Sequence, residues 1–362
     1  MISVVDVTKV FPGMEHPAVG GLSLDIDQGE FVVLVGPSGC GKTTTLKMIN
    51  RIIEPTSGEI WVDGVAATDV PAHDLRRGIG YVIQQIGLFP HRTIAENIAT
   101  VPQLLGWAKD DIESRVHDLV GRVGLDPAML PRYPSELSGG QQQRVGVARA
   151  LAADPPVLLM DEPFGAVDPV VRAQLQEEFL RLQEELAKTV VFVTHDIDEA
   201  LRMGDRIAIL NVGGVLEQFD TPEEILASPA NDFVADFIGG ERGLKRLGLR
   251  AVSSIDLVRG PVVDLSDGKI GAEKAMAEYG TDWVVLLDGD KLLGWVWDND
   301  IDQGSLSDLE PHDFWVELGP ESSLRSALNA VVMTRSRVAV VVENGVYQGM
   351  AGLDTIAGEV EQ

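Results

Sequence analysis

The sequence predicts an α/β fold with a mostly parallel sheet for residues 1–240, followed by a smaller α+β module. Three short apolar runs predict the sheet: EFVVLVG at 30–36, PVLLMDEP at 156–163 and TVVFVTHD at 189–196. Their side chains are apolar on both faces, as in central strands of a parallel sheet that is covered on both sides. Helical patterns separate the runs, which is the alternation typical of an α/β domain.

The helix before the third run carries one apolar stripe, and the first domain ends near residue 240. Leu175, Phe179, Leu182 and Leu186 recur at helical spacing, so we expect them to pack on the sheet and not to bind a ligand. A last short helix and a glycine-rich break follow in ASPANDFVADFIGGERG. We therefore place the domain boundary near Gly240.

The composition limits the function classes. The chain has 362 residues, 45% of them hydrophobic, and a formal charge of −27, which disfavours nucleic acid as the main partner. One cysteine excludes a disulfide framework and favours a reducing cytosolic setting. The N-terminus lacks the pattern of a signal peptide, and no apolar run reaches the roughly 20 residues that span a bilayer. Any membrane part should therefore come from another chain.

A weak internal repeat occupies the second module, residues 241–362. Residues 283–301 align with 337–356: each is a strand, a tight polar turn and a second strand that starts at Gly294 or Gly349. An amphipathic helical stretch precedes each copy. Two βαββ-like repeats, at about 256–302 and 312–358, are therefore expected to form a pseudo-symmetric pair.

A phosphate-binding loop follows the first strand. GPSGCGKTT at 36–44 matches G-x-x-x-x-G-K-[ST], between a predicted strand and a predicted helix, as the motif requires. The glycines allow backbone N–H groups to surround phosphates, and the helix N-terminus favours the same anion. We expect Lys42 to reach the β- and γ-phosphates and Thr43 to ligate Mg²⁺. Cys40 is interpreted as a tolerated small residue.

Two carboxylates end the second strand. Asp161 is expected to hold Mg²⁺ beside the phosphate loop. Glu162 is expected to orient or deprotonate the attacking water; the alternative is that it caps the following turn. His195, at the end of the third strand, is expected beside the phosphates, since open α/β sheets bind ligands at the carboxyl ends of their strands.

Taken together, these residues resemble the nucleotide-binding subunit of ABC transporters. LSGGQ at 137–141 resembles the signature of that family, VLLMDEP its Walker B motif and AVDP its D-loop. His195 and Gln84 match its switch histidine and Q-loop glutamine. The resemblance implies a P-loop NTPase with a RecA-like core, an antiparallel β subdomain and a helical signature subdomain. It implies catalytic roles for Glu162, His195 and Gln84, and metal ligation by Thr43, Gln84 and Asp161. The implied ATP contacts are Phe11, Gly36, Pro37, Ser38, Gly39, Cys40, Gly41, Lys42, Thr43, Thr44, Ser138, Gly139, Gly140, Gln141 and Asp168.

The family arrangement offers a reason for the glycines of the signature. Two subunits pair head to tail, with ATP between the phosphate loop of one and the signature of the other. Ser138, Gly139 and Gly140 would then present a helix N-terminus to the γ-phosphate across the homodimer interface. A monomer should accordingly hydrolyse ATP poorly.

A narrower resemblance concerns the transported solute. Residues 83–107 and 192–210 are similar to the ATPase of glycine betaine, carnitine, choline or proline importers. That resemblance implies a separate permease that contacts the segment after Gln84, a solute-binding protein acting indirectly, and a peripheral place on the cytoplasmic face of a bacterial membrane. An importer of another small solute and a soluble ABC-type NTPase of DNA repair or translation remain alternatives, as does a mainly regulatory chain.

The second module resembles the tandem CBS domains of that importer subgroup. Such repeats often end in G-x-x-T-x-x-D, whose Thr and Asp hold a nucleotide. The first repeat keeps Asp300 but has Trp297 at the Thr position, and the second has Gly352 and Thr355. Nucleotide binding, sensing of ionic strength, and dimerisation or spacing alone all stay open for this module.

Overall fold

The computed structural model describes residues 1–84, 87–165, 167–301, 305–334 and 336–361. The chain divides into two compact units, Met1–Gly240 and Glu241–Gln362. Asp302, the last residue of the expected first repeat, lies outside the described residues. Among those described, none belongs to a helix that is long and apolar enough to cross a membrane.

The first unit contains two sheets. The smaller is antiparallel and has the strand order β2-β1-β4-β5, whereas the larger has the order β10-β9-β3-β8-β7-β6 and is parallel except for β10. The strands are β1 (Ile2–Lys9), β2 (Val19–Ile26), β3 (Phe31–Val35), β4 (Ser57–Val62), β5 (Val65–Ala66), β6 (Ile79–Val82), β7 (Val157–Asp161), β8 (Thr189–Val193), β9 (Arg206–Asn211) and β10 (Val215–Asp220).

The three apolar runs form the centre of the larger sheet, as predicted. Strands β3, β8 and β7 lie side by side, and every residue in them is buried. One core joins the two sheets, with Ile2 and Leu22 of the smaller packed in the same cluster as Leu34 and Leu159 of the larger. Because the central strands are parallel, their carboxyl ends meet at one edge of the sheet.

Helices cover the larger sheet and build a separate helical region between residues 94 and 151. Leu175, Phe179 and Leu182 are buried as the periodicity predicts, and the ring of Phe179 contacts that of Phe31 on β3. The helices of this unit are α1 (Lys42–Ile49), α2 (Ala72–Arg77), α3 (Ile94–Ile98), α4 (Thr100–Leu104), α5 (Lys109–Arg122), α6 (Gly139–Leu151), α7 (Pro169–Leu186), α8 (Ile197–Met203), α9 (Pro222–Ala227) and α10 (Asp232–Ile238).

The second unit contains a repeated β-α-β-β-α pattern. Its six strands have the order β11-β12-β13-β16-β15-β14, so each half of the sheet mirrors the other. The elements are α11 (Arg242–Leu249), β11 (Val262–Asp264), α12 (Gly268–Tyr279), β12 (Trp283–Asp288), β13 (Lys291–Trp297), α13 (Asp298–Ile301), β14 (Glu317–Leu318), α14 (Leu324–Met333), β15 (Val338–Glu343), β16 (Val346–Gly352) and α15 (Leu353–Glu361).

Each repeat is crossed by the segment that precedes the first strand of the other repeat. Val258, ahead of β11 in the first repeat, exchanges two backbone hydrogen bonds with Met350 on β16 (2.8 and 3.0 Å). His312, ahead of β14 in the second repeat, does the same with Trp295 on β13 (2.8 and 3.0 Å). A side chain at Gly294 or Gly349 would collide with these crossing segments, which explains why the two aligned glycines stand where they do.

The exchange extends to the apolar cores. Leu247, Val252 and Ile255, which precede the first repeat, are buried with the helices of the second. Leu306, which follows the first repeat, is buried together with β12 and α12. The two repeats therefore complete one another, and neither has a whole core of its own.

Candidate phosphate-binding and catalytic site

The phosphate loop joins β3 to α1, and its glycines are required by close backbone contacts. Gly36 has a φ of 154°, and a Cβ there would lie 2.1 Å from the carbonyl oxygen of Leu210. Gly41, at the start of α1, has a φ of 103°, and its Cβ would lie 2.6 Å from the carbonyl oxygen of Ala18. Larger residues would push the loop away from the sheet edge. Pro37 is half-buried, whereas Ser38 and Gly39 are exposed at the tip.

Lys42 lies buried beneath the loop and bonds to the loop itself. Its ammonium donates to the carbonyl oxygens of Gly36 (2.7 Å) and Pro37 (3.1 Å), and it lies 3.7 Å from the Sγ of Cys40. Cys40 is fully buried, so it fills space below the loop. An ammonium held by neutral carbonyl oxygens has no charged partner in these contacts, and an anion in the loop would supply one.

Thr43 and Asp161 meet although they are far apart in the sequence. The Thr43 hydroxyl donates to a carboxylate oxygen of Asp161 at 2.8 Å. Burial raises the pKa of Asp161 above its ordinary range, and the hydrogen bond from Thr43 opposes that effect. Hydroxyl and carboxylate oxygens are the ligands that Mg²⁺ prefers, so this pair fits the ion. No cluster of three or more His, Cys, Asp or Glu that could hold a metal exists among the residues described.

Glu162 lies at the centre of the sheet edge and contacts both other residues predicted to act in hydrolysis. Gln84 donates to its Oε2 at 3.1 Å, and the Nδ1 of His195 lies 3.4 Å from its Oε1. Its backbone has a φ of 44°, a left-handed conformation that is uncommon for residues other than glycine and costs of order 1–3 kcal/mol. Its N–H donates to the carbonyl oxygen of Val193 at 3.0 Å. The structure thus brings Gln84, Glu162 and His195 together.

The signature segment forms the N-terminus of α6. The Ser138 hydroxyl accepts from the N–H of Gln141 at 3.3 Å, and the Gln141 side chain accepts from the N–H of Ser138 at 2.9 Å, which makes a capping box. A Cβ at Gly139 would meet open space, whereas one at Gly140 would lie 3.2 Å from the Val171 side chain. Gly139 therefore has free space beside its backbone, whereas Gly140 is also small because α7 packs there.

Phe11 and Asp168 lie outside these contacts. Phe11 follows β1, and the Lys9 ammonium lies 5.3 Å from its ring centre. Asp168 caps α7 by accepting from the N–H of Val171 at 3.1 Å. Thr44 occupies the first turn of α1. Gln85 and Ile86 of the Q-loop stretch, and Ala166 of the stretch AVDP, lie outside the described residues.

The structure adds two residues that the sequence analysis missed. Tyr81, on β6, has a buried hydroxyl that finds no hydrogen-bond partner in the described part of the chain, and burial together with the charge of Asp161 raises its pKa to about 12. Glu199, on α8, is held by a side chain of α7, because Gln176 donates to it at 2.8 Å. Neither has a motif of its own, since each depends on contacts between segments distant in sequence.

This geometry can perform nucleoside triphosphate hydrolysis. One edge of the sheet holds an anion-binding loop, a hydroxyl–carboxylate pair suited to a divalent ion, and a carboxylate that could orient water. The loop follows β3, Asp161 and Glu162 lie at the end of β7, and His195 follows β8; these three strands are neighbours in the sheet, so the residues share one edge.

Comparisons with known proteins agree with this chemistry. The family model "ABC transporter" matches residues 19–165. The osmoprotectant import ATP-binding protein OsmV of Salmonella typhimurium is 46% identical, over 99% of this chain and 95% of that protein. The glycine betaine/carnitine/choline transport ATP-binding protein OpuCA of Bacillus subtilis is 51% identical over 81% of this chain and 77% of its own length. The choline transport ATP-binding protein OpuBA of the same organism is 45% identical over 95% of this chain and 91% of its own length.

Solved structures match the first part of the chain. A dimeric structure of MJ0796, a bacterial ABC transporter cassette, is 38% identical and covers 61% of this chain and 99% of its own, with a TM-score of 0.56. A post-hydrolysis dimer of the same cassette, bound to ADP and Pi, is 37% identical over the same shares of the two chains, also with a TM-score of 0.56. The P-loop NTPase fold expected for the first unit, the ATP-binding function and the enzyme class are confirmed. The chain belongs to the ATP-binding proteins of the ABC transporter family, and it is an ATPase.

Proposed function

We propose that this chain powers the uptake of a quaternary-amine osmoprotectant, such as glycine betaine, carnitine or choline, or of proline, through a separate membrane permease. The observation that carries the proposal is the 46% identity to an osmoprotectant import protein over 95% of that protein. Its match spans both units of this chain, and OpuBA, named for choline transport, also covers most of it. The solute follows from these relatives, since the ATPase site is suited to any cargo.

In the proposed reaction, the phosphate loop and Lys42 bind the triphosphate of ATP, and Phe11 stacks on the adenine. Gln84 holds Glu162 in place, and Glu162 orients the attacking water. His195 contacts the γ-phosphate. The distances of 3.1 and 3.4 Å from Glu162 to these two side chains support that division of roles. A positioned general base typically contributes 10²–10⁴ to a rate.

Thr43 and Asp161 are the residues that would hold Mg²⁺, with Gln84 as a third ligand. When bound, the ion would neutralise charge on the β- and γ-phosphate oxygens. The 2.8 Å contact between the Thr43 hydroxyl and Asp161 supports the assignment, since both oxygens already point to one place.

Two copies of the chain would enclose ATP between them. The open space at Gly139 and the exposed Ser138 leave the N-terminus of α6 accessible to a phosphate from a partner subunit. Gln141 and Asp168 would complete the contact. The dimeric cassette of 38% identity supports this arrangement.

The permease would dock beside the segment that follows Gln84, at the cytoplasmic face of the membrane. Phe89, Leu104 and Leu105 are exposed there, and such apolar side chains favour a protein partner. The buried Asn97 shapes this surface, because it binds the backbone of Phe89, Arg92 and Thr93. A solute-binding protein would act through the permease.

The second unit is proposed to be a tandem CBS-like regulatory module, with repeats at about 256–302 and 312–358. The repeated pattern and the mirrored strand order support a pseudo-symmetric pair. In the first repeat, Asp300 accepts from the N–H of Trp297 at 3.1 Å, so it already serves the local turn. We therefore favour pairing or regulation without a tightly held nucleotide.

Uptake of radiolabelled glycine betaine tests the proposal in cells that lack this chain and its paralogues. Reintroduced wild-type chain should restore uptake under osmotic stress, and the Glu162→Gln variant should not. Competition by choline, carnitine and proline would define the solute. Restored uptake of an unrelated amino acid alone would show an importer for another solute, and normal betaine uptake without the chain would refute the proposal.

A further inference from the structure

Glu199 occupies an unusual place beside the catalytic edge. It is the third residue of α8, the helix that begins just after His195. Glu199 is half-buried, and burial raises the pKa of its carboxyl above the ordinary range, more than the Thr194 and Gln176 side chains lower it. Removing a carboxylate from water is costly, so its remaining hydrogen bonds matter.

The contacts of Glu199 join the loop that contains His195 to α7, whose N-cap is Asp168. On one side its backbone N–H donates to the Asp196 carboxylate at 3.4 Å, and the Thr194 hydroxyl, which lowers the pKa of Glu199, accepts from the N–H of Asp196 at 3.0 Å. These two residues flank His195. On the other side it accepts from Gln176, a buried residue in the middle of α7, at 2.8 Å.

The connection continues to the start of α7 through Arg172. This guanidinium donates to the carbonyl oxygen of Val167 at 3.0 Å, and its positive charge slightly lowers the pKa of Glu199. Val167 directly precedes Asp168, the cap of α7. The carboxylate of Glu199 thus lies between the loop of His195 and the segment that contains Asp168.

We propose that Glu199 is a positioning residue for ATP hydrolysis: it fixes the loop of His195 to α7, and so to the Asp168 segment. In a closed dimer these two segments would then move together. Glu199 need not touch ATP, and its effect should fall on turnover and not on nucleotide binding.

An exchange of donor and acceptor tests the proposal in the full-length protein. Glu199→Gln replaces the carboxylate that accepts from Gln176 by an amide of nearly the same volume. The hydrogen bond then joins two neutral amides and is weaker. Adding Gln176→Glu restores one donor and one acceptor, because the amide at position 199 can donate to the carboxylate at position 176. Glu177→Gln is the control, since Glu177 neighbours Gln176 and, among the described residues, pairs with Arg202 at the surface and not with Glu199.

ATPase rates would be measured at several ATP concentrations, with binding of a fluorescent ATP analogue and the melting temperature as companions. Glu199→Gln should lower kcat about tenfold with KM within about twofold, because a charge-assisted hydrogen bond becomes a weaker neutral one. The double variant should recover most of that loss, and Glu177→Gln should behave as wild type. A kcat of Glu199→Gln close to wild type would overturn the proposal. A loss that the double variant does not repair, or that tracks a fall in melting temperature, would reduce Glu199 to a structural residue.

Discussion

Replacement of Asn97 by alanine should loosen the surface that is proposed to meet the permease. Asn97 is fully buried on α3; its oxygen accepts from the N–H of Phe89 at 2.8 Å. Its amide nitrogen lies 2.9–3.1 Å from the carbonyl oxygens of Phe89, Arg92 and Thr93 and donates to them. Because the amide has two protons, two of these acceptors share one proton, and we count two hydrogen bonds. Three hydrogen bonds at about 1 kcal/mol each give a local loss of about 3 kcal/mol.

Hydrogen exchange at the amide of Phe89 measures that loss directly. A change of about 3 kcal/mol raises exchange through local opening roughly a hundredfold, since about 1.4 kcal/mol is a factor of ten. Asn97→Asp should be at least as harmful, because a carboxylate would then face three carbonyl oxygens. Thr100→Ala, which removes a partly exposed hydroxyl bound to the carbonyl of Glu96, serves as the control. Exchange at Phe89 within about threefold of wild type in Asn97→Ala would refute the reasoning.

Four further outcomes are expected. Glu162→Gln should keep ATP affinity and lose about 10²–10⁴ in turnover, measured by phosphate release; wild-type-like hydrolysis would remove Glu162 from the mechanism. Lys42→Ala should abolish ATP binding in calorimetry, because the buried ammonium is the loop's own cation; unchanged affinity would contradict the phosphate-loop assignment. Gly36→Ala should give a protein that melts at lower temperature and binds ATP weakly, since the new Cβ meets the Leu210 carbonyl oxygen at 2.1 Å; a normal melting curve would mean that the loop can yield. Deletion after Gly240 should leave basal ATPase activity and alter its response to salt or nucleotide; identical regulation would make the second unit a scaffold.

Much of the ATPase unit could be predicted because its signals are local. The runs around β3, β7 and β8 are apolar on both faces, and their central place in the sheet follows from that pattern. The motif at 36–44, between a predicted strand and a predicted helix, identifies the phosphate loop. The meeting of Thr43 with Asp161 was also expected, since both follow central parallel strands. Local pattern and sheet geometry suffice for such residues.

Other features depend on packing between distant segments. The role of Gly140 could not be foreseen, because its neighbour Val171 comes from α7. Glu199 has no motif, and its importance rests on Gln176, which an amphipathic pattern would assign to the core or the surface without distinction. In the second unit, the alignment of Gly294 with Gly349 was visible, but the crossing segments that require those glycines were not.

The crossing of Val258 over β16 and of His312 over β13 has a consequence for how this module can be cut or inherited. The segment of Val258 covers the second copy, and the segment of His312 covers the first. A truncation after the first copy would therefore uncover β13 and leave Val258 without its partner strand. Stepwise shortening should therefore unfold the module. A related protein without the module should lack all of it, back to the junction near Gly240, and a single remaining copy would have to pair with a copy in another molecule.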